Sequence, residues 1–312
     1  MAEIGKAKAL LEQGELVAIP TETVYGLAGN ALDAKAVAKI FEVKERPSFD
    51  PLIVHVPNLD ATRRYVTGIP EQAQLLAKTF WPGPVTVVLP RNETIPDLVT
   101  SGLDTVGIRC PDHELTRSLL QRLNFPLAAP SANPFGYVSP TTPEHVNEQL
   151  GHKIKYILDG GPCEVGIEST IVAFETEGPI IYRLGGLSVE DIEKTIGPVR
   201  RRLHSTSNPS APGQLKSHYS PLKKMLVGDL PQLIQHQPLR TGILSFQKNF
   251  GAVNQFILSP TGDLKEASQN LFTALRYLDK KDIDVILAEW VPDVGLGRAI
   301  NDRLKRAAAQ ED

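Results

Sequence analysis

The fold can be read from residues 16–56, LVAIPTETVYGLAGNALDAKAVAKIFEVKERPSFDPLIVHV. This segment opens with a strand-like run at 16–20, and after a polar loop Asp33 is placed to cap a helix that extends to about Lys44. A second polar loop leads into another apolar run at 52–56. Because a strand, a helix and a strand follow one another, the segment predicts an α/β unit whose loops carry polar side chains.

The same alternation continues to about residue 200. Apolar periodicity predicts helices near 70–80, 112–123 and 142–150. Short apolar runs predict strands near 85–89, 105–109, 127–130, 155–158, 169–174 and 180–183. We therefore predict one twisted, open α/β sheet domain over residues 1–203.

The composition changes at residues 199–223, VRRRLHSTSNPSAPGQLKSHYSPLK. Serine and proline are frequent there and the apolar periodicity disappears, which predicts a linker over 204–223. Beyond it, the strand-like runs MLVGDL, TGILSF, NQFILS and DVILAEW alternate with helical patterns at 263–278 and 297–308. This predicts a smaller, Rossmann-like α/β domain over 224–312.

Charge and composition exclude several classes of protein. With 33 basic and 36 acidic residues, the net charge of −3 disfavours a general polyanion-coating protein. No apolar run approaches the roughly 18 residues that a spanning helix needs. The N-terminal stretch mixes charges into its apolar positions and does not resemble a signal peptide. We therefore expect a cytoplasmic location without membrane contact. Cys110 and Cys163 are too far apart for a zinc motif, so no protein-held metal is predicted.

Familiar catalytic motifs do not account for the chain. It contains no P-loop, no nucleophile elbow and no paired-histidine zinc motif. GLGRAI at 295–300 follows a strand and opens a helix, but it lacks the third glycine of a dinucleotide-binding turn. Too few residues follow for the acidic ribose contact, so these glycines are interpreted as turn and packing residues.

The 24 glycines and 25 prolines exceed an average content and indicate many shaped loops. Polar clusters lie where apolar runs end, at PTETVYGL (20–27), KERP (44–47), TVGIR (105–109), PSANPFGYVSPT (130–141), and GIEST (166–170) with YRLGG (182–186). Taken singly, each is more often structural; Lys44 and Arg46, for example, could simply complement a helix dipole. Together at the element ends of one domain, they predict a binding crevice in which these two cations bind phosphate.

These clusters, together with FWPGP (80–84) and VGIRCPDH (106–113), resemble in the same order the YrdC-type threonylcarbamoyl-AMP synthases. APGQLKSHYSP (211–221) and GLGRAINDRLKRAA (295–308) resemble the long, two-domain form of that family. The resemblance extends from about residue 5 to 310. It implies an enzyme with a concave cavity in a YrdC-type sheet domain, followed by a small Rossmann-like domain.

The resemblance also implies a reaction. L-Threonine, bicarbonate or carbon dioxide, and ATP would give L-threonylcarbamoyl-adenylate and pyrophosphate, with Mg²⁺ accompanying ATP. A separate tRNA threonylcarbamoyl transferase would use the product to modify the adenosine next to the anticodon. Direct tRNA binding by this chain is expected to be weak at most.

The resemblance assigns site residues. L-Threonine would be bound by Thr23, His55, Arg109, Ser131 and Ser169. ATP would be bound by Lys44, Arg46, Thr105, Asn133, Thr141, Arg183 and Tyr219, with Lys44 and Arg46 as the catalytic cations. Asp50 stands where the family has asparagine, which puts a negative charge near the phosphates, so it is left out of the assignment.

Two alternatives remain open. The linker carries Lys216, His218 and Tyr219 in a compact string, which predicts a lid that folds over the cavity when ATP binds; a passive tether is the other interpretation. Arg200, Arg201 and Arg202 with Arg183 and Lys216 could instead form a basic stripe in an RNA-binding protein without adenylation activity.

Overall fold

The computed structural model describes residues 2–204, 209–215, 218–236 and 240–309. The helices are α1 (Ala2–Glu12), α2 (Ala34–Lys44), α3 (Leu59–Thr62), α4 (Glu71–Phe80), α5 (Asp97–Thr100), α6 (Glu114–Gln121), α7 (Pro143–Leu150), α8 (Val189–Ile196), α9 (Leu230–His236), α10 (Leu264–Asp279) and α11 (Gly297–Ala308). The strands are β1 (Val17–Ile19), β2 (Gly26–Asn30), β3 (Ile53–His55), β4 (Val85–Pro90), β5 (Thr105–Arg109), β6 (Leu127–Ala128), β7 (Thr170–Glu175), β8 (Gly178–Arg183), β9 (Arg200–Arg201), β10 (Lys224–Val227), β11 (Thr241–Ser245), β12 (Gln255–Ile257) and β13 (Val285–Ala288).

Strands β1 to β9 form one mixed sheet in the order β1-β2-β6-β3-β5-β4-β7-β8-β9 within the described residues. β3 pairs with β5 in parallel, and β4 pairs with β7 in parallel, while β4 and β5 are antiparallel. The predicted α/β sheet domain is therefore confirmed. The last strand of this sheet ends at Arg201.

Helix α2 forms where the sequence predicts it. The Asp33 side chain accepts a hydrogen bond from the Lys35 backbone N–H at 2.9 Å, which satisfies one free donor of the first turn. Val37 and Ile40 on one helical face are buried in the core. Glu45 takes a left-handed conformation that ends the helix. Lys44, the last residue of the helix, is buried.

The prediction missed strand β2, because it treated residues 21–32 as a polar loop. GLAGN has two glycines and an asparagine, which disfavour a strand when propensity alone is considered. Pairing with β1 and β6 on both sides overrides that preference. A Cβ atom at Gly29 would lie 2.9 Å from the Leu16 side chain, so close packing requires glycine there. The predicted strand at 155–158 is only an isolated bridge between Ala18 and Ile157.

Strands β10 to β13 form a separate parallel sheet in the order β10-β13-β11-β12, which confirms the Rossmann-like C-terminal domain. Helix α10 joins this domain to the first one. The Tyr137 hydroxyl donates to Asp279 at 2.7 Å, and the Ser268 hydroxyl donates to the Val165 carbonyl at 2.9 Å. Among the described residues, no helix has the length and apolar character needed to cross a membrane.

Candidate functional site

The register of the large sheet aligns polar residues that are far apart in sequence. His55 lies opposite Arg109, and Arg109 lies opposite Thr86. Thr86 lies opposite Ile171, which in turn lies opposite Arg183. Because directly opposed residues project from the same face of a sheet, this row brings the side chains of five strands together.

A narrow cavity lies at this row. Its free volume is about 50 Å³, which is room for a few water molecules. Residues from the sheet, from the loops at its ends and from the linker surround it. The predicted site residues that line it are Arg46, His55, Arg109, Ser131, Ser169, Arg183 and Tyr219.

Two predicted residues lie directly behind this wall. The Lys44 ammonium donates to the backbone carbonyls of Ser131 at 2.6 Å and Asn133 at 2.5 Å, and so holds the loop that presents Ser131. Burial, together with the nearby Arg46 cation, places the pKa of Lys44 well below its usual value. Thr23 shares a 2.8 Å hydrogen bond with Thr21, which lines the cavity.

The remaining predicted residues are farther away. Thr105 lines a smaller adjoining cavity that is covered by Pro212. The Thr141 hydroxyl lies 3.2 Å from that of Thr273 on α10, at the contact between the two domains. The Asn133 amide donates to the carbonyls of Pro134 and Tyr137, which shapes its own loop.

Arg46 is held by three contacts. Its Nη2 lies 2.9 Å from Asp50 Oδ2, and both side chains are buried. Its guanidinium also donates to the Asp50 carbonyl at 3.1 Å and to the Pro51 carbonyl at 2.9 Å. Burial lowers the pKa of Arg46, although Asp50 opposes this, and burial raises the pKa of Asp50 against the opposing effect of Arg46. Asp50 therefore supports the cavity wall through its contact with Arg46, although the sequence assignment left it out.

Arg109 forms a second buried ion pair, with Glu22 at 2.7 Å. The neighbouring His55 has its pKa lowered to about 3, first by burial and then by the Arg109 cation, so the imidazole is neutral near pH 7. Its Nδ1 has no hydrogen-bond partner among the described residues. Glu22 lies inside PTETVYGL, one of the polar clusters from which the binding crevice is predicted, but the sequence assignment did not include it.

Arg183 completes the row through Ser169. Its guanidinium donates to the Ser169 carbonyl at 3.0 Å and to the Ser169 hydroxyl at 3.1 Å. That hydroxyl also lies 2.8 Å from the Thr86 hydroxyl. Burial lowers the pKa of Arg183, and its guanidinium lies against the cavity in a fixed orientation.

The linker covers the cavity with Pro212, Gly213, His218 and Tyr219. Tyr219 is buried and has a φ of 63°, a conformation that costs energy for a residue with a side chain. Gly213 packs so closely that an added Cβ would lie 2.7 Å from the Tyr219 hydroxyl oxygen. Lys216, which the sequence placed in this string, lies outside the described residues.

Helix α11 of the C-terminal domain holds the linker and the cavity wall. Arg303 donates to Glu168 at 2.8 Å, and its guanidinium lies 4.7 Å from the centre of the Tyr219 ring. Arg306 donates to the carbonyl of Leu203, just before the linker, and to that of Leu215 within it. Glu168 lines the cavity, so the C-terminal domain reaches the site through it. Glu168 lies in GIEST and Arg303 in GLGRAINDRLKRAA, two motifs that carry the family resemblance, but neither residue was assigned a role from the sequence.

The fold and the site together define an α/β protein with a buried, cation-rich cavity that suits an anionic ligand. Among the described residues, no group of three or more potential metal-ligating side chains is present. Cys110 and Cys163 are buried, and burial raises the pKa of each thiol, which makes both poor nucleophiles.

Comparisons with known proteins agree with this class. A Sua5/YciO/YrdC family model described as "Telomere recombination" matches residues 9–185, and a model described as "Threonylcarbamoyl-AMP synthase, C-terminal domain" matches residues 187–309. The chain belongs to the two-domain threonylcarbamoyl-AMP synthase family.

Similar proteins include the threonylcarbamoyl-AMP synthase of Pyrococcus abyssi, which is 41% identical over 97% of this chain and 93% of its own length. That of Bacillus subtilis is 40% identical over 98% of this chain and 93% of its own length. The structure of P. abyssi Sua5 complexed with L-threonine superimposes with a TM-score of 0.92 and 40% identity, over 98% of this chain and 94% of that one.

Proposed function

We propose that this chain forms L-threonylcarbamoyl-adenylate and pyrophosphate from L-threonine, bicarbonate or carbon dioxide, and ATP. The observation that carries the proposal is the buried cavity, in which guanidinium groups, a neutral imidazole and hydroxyls converge. The similarity to threonylcarbamoyl-AMP synthases supports the reaction, and the L-threonine complex of P. abyssi Sua5 supports the amino-acid substrate.

One end of the cavity suits L-threonine. Arg109 can bind the substrate carboxylate as a two-pronged donor. His55, because it is neutral, can exchange a hydrogen bond with the amine or hydroxyl without repelling an ammonium group. Ser131, Ser169 and, through the Thr21 contact, Thr23 would fix the orientation.

The other end suits the phosphates of ATP. Within the described part of the chain, Lys44 and Arg183 have no carboxylate within 4 Å, so they bring positive charge that an anionic ligand can neutralise. Arg46 adds a third cation. The nucleotide contacts assigned to Thr105, Asn133, Thr141 and Tyr219 remain predictions; of these, Tyr219 lines the cavity and Thr105 lines its neighbour.

The chemistry requires charge stabilisation more than covalent help. The neutral amine of threonine attacks carbon dioxide and releases a proton to solvent. The resulting carbamate oxygen then attacks the α-phosphorus of ATP as pyrophosphate leaves. Negative charge grows on the attacking and leaving oxygens, and cations fixed in a dry cavity stabilise it more strongly than water does. We propose that Mg²⁺ arrives bound to ATP, where it would neutralise part of the phosphate charge.

The small volume of the cavity supports the lid hypothesis. About 50 Å³ cannot admit ATP while Pro212, Gly213 and Tyr219 cover the sheet. We therefore predict that the linker moves away to admit ATP and then covers the cavity again.

We place the reaction in the cytoplasm, with the adenylate passing to a tRNA threonylcarbamoyl transferase. The RNA-binding alternative has less support. Arg200 is paired with Glu175 and Glu177, and Arg202 is paired with Glu175, so neither offers an unpaired charge to phosphates.

The test measures pyrophosphate release from ATP and bicarbonate, with and without L-threonine. We expect release only with L-threonine, and mass spectrometry should detect the threonylcarbamoyl-adenylate. RNA binding together with no threonine-dependent release would reject the proposal and favour the alternative.

A further inference from the structure

The buried pair of Glu22 and Arg109 has an unusual set of contacts. Arg109 lines the cavity, whereas Glu22 is only 5% exposed and is not among the residues that line it. The two side chains lie 2.7 Å apart. The Nε and Nη2 atoms of Arg109 and both carboxylate oxygens of Glu22 have no hydrogen-bond partner among the described residues. Glu22 is therefore the charged contact that holds Arg109 from behind.

Arg46 is held in a different way. Two backbone carbonyls, of Asp50 and Pro51, accept hydrogen bonds from its guanidinium in addition to the Asp50 ion pair. A change of the Asp50 side chain leaves both carbonyls in place. The direction of the Arg46 guanidinium is therefore fixed both by the backbone carbonyls and by the Asp50 carboxylate. The direction of Arg109 depends on Glu22.

The backbone keeps Glu22 in position. Its carbonyl accepts a hydrogen bond from the Val165 N–H at 2.7 Å, and the preceding Thr21 hydroxyl donates to the Val24 carbonyl at 2.7 Å. The carboxylate thus extends from a turn that is closed on itself, and the length of its side chain decides whether it reaches Arg109.

We propose that Glu22 is a positioning residue, whose carboxylate holds the Arg109 guanidinium at the angle that receives the carboxylate of the amino-acid substrate. This inference rests on the proposed function. The required property of Glu22 is a negative charge within contact distance of Arg109, because a freely rotating guanidinium must lose conformational freedom before it binds two oxygens at once.

Two variants separate reach from charge. Glu22→Asp keeps the charge but withdraws the oxygens by one methylene, whereas Glu22→Gln keeps an acceptor oxygen in place without the charge. Pyrophosphate release is measured at varied L-threonine and at varied ATP. We expect Glu22→Asp to raise KM for L-threonine on the order of 10-fold, as loss of supporting contacts does in other sites. Glu22→Gln, which removes the charge that faces Arg109, should raise KM for L-threonine on the order of 10-fold as well, and KM for ATP should change less than about 3-fold in both variants.

Asp97→Asn is the control, because it alters an ion pair with Arg91 outside the site, in which Asp97 is exposed, and should leave KM for L-threonine unchanged. Circular dichroism and the thermal midpoint confirm that each variant folds. An unchanged KM for L-threonine in Glu22→Gln would show that the charge of Glu22 does not hold Arg109 and would overturn the inference. An unchanged KM for L-threonine in Glu22→Asp, or equal changes in both KM values, would overturn it as well. No threonine-dependent release by the unaltered chain would instead reject the proposed function, and the inference with it.

Discussion

Asp50→Asn should tighten ATP binding, because Asp50 neutralises a cation that ATP would otherwise use. Asp50 Oδ2 lies 2.9 Å from Arg46 Nη2, and both side chains are buried. The hydrogen bonds from Arg46 to the carbonyls of residues 50 and 51 do not involve the side chain that is replaced, so the guanidinium keeps its direction.

The expected size follows from Coulomb's law. A phosphate on the far side of the guanidinium would lie about 7 Å from the Asp50 carboxylate, and their repulsion is roughly 2 kcal/mol at an effective dielectric constant of about 20. Its removal corresponds to a Kd for ATP that is lower on the order of 30-fold. Without ATP the variant should be less stable, since the loss of one partner leaves a buried charge unpaired, at a cost of about 3–5 kcal/mol.

Isothermal titration calorimetry with Mg²⁺ and ATP measures the Kd, and the thermal midpoint with and without ATP measures the stability. We expect a lower midpoint without ATP and a larger rise on its addition than in the unaltered chain. Asp97→Asn is the control, because Asp97 pairs with Arg91 at the surface with 79% of its side chain exposed, and its loss should leave the Kd unchanged. A folded Asp50→Asn variant that binds ATP no more tightly than the unaltered chain would refute the reasoning.

Other predictions concern the cations, the linker and acid stability. Lys44→Ala and Arg46→Ala should each lower pyrophosphate release on the order of 30-fold or more, since loss of a desolvated charged contact costs about 2–5 kcal/mol; near-normal rates in both would contradict the phosphate role. Gly213→Ala should impair turnover, because its Cβ would clash with the Tyr219 hydroxyl at 2.7 Å, whereas Gly251→Ala, which has a similar positive φ and open space, should not; equal turnover in the two would show that the linker contact does not matter. Unfolding free energy should fall as pH drops from 6.5 towards 3, because folding disfavours the charged form of His55, whose pKa is about 3 in the folded chain. Urea unfolding at pH 6.5 and 5.5 should show His55→Asn losing about 1 kcal/mol less than the unaltered chain, and an equal loss would contradict this origin.

The sequence was sufficient for the elements with clear periodicity. Helix α2, its Asp33 cap and the strands of the C-terminal sheet follow from local pattern, since each depends on neighbours along the chain. Strand β2 did not follow, because glycine-rich pairing between two other strands is a tertiary effect. The loops that carry the site were found by their polar residues at element ends.

The arrangement within the site required the register of the sheet. No local pattern shows that His55 lies opposite Arg109, or that Arg183 belongs to the same row four strands away. A local sequence pattern also does not distinguish residues that line the cavity from residues that lie behind its wall. Lys44 supports the Ser131 loop through two carbonyls, and Glu22 and Asp50 are turned towards cations of the wall. The ion pair of Glu22 and Arg109, which are far apart in sequence, is visible only after folding.

The near-neutral total charge of the chain is compatible with a cavity for a polyanion, because some buried cations are paired with carboxylates and others are not. Arg46, Arg109 and Arg303 each have a carboxylate within 3 Å, from Asp50, Glu22 and Glu168. Lys44 and Arg183, among the described residues, are held by carbonyl and hydroxyl groups instead. Burial lowers the pKa of both, so each gains from a nearby negative charge. A triphosphate would provide that charge, whereas the Arg109 end, already neutralised by Glu22, suits an amino acid whose own charges balance.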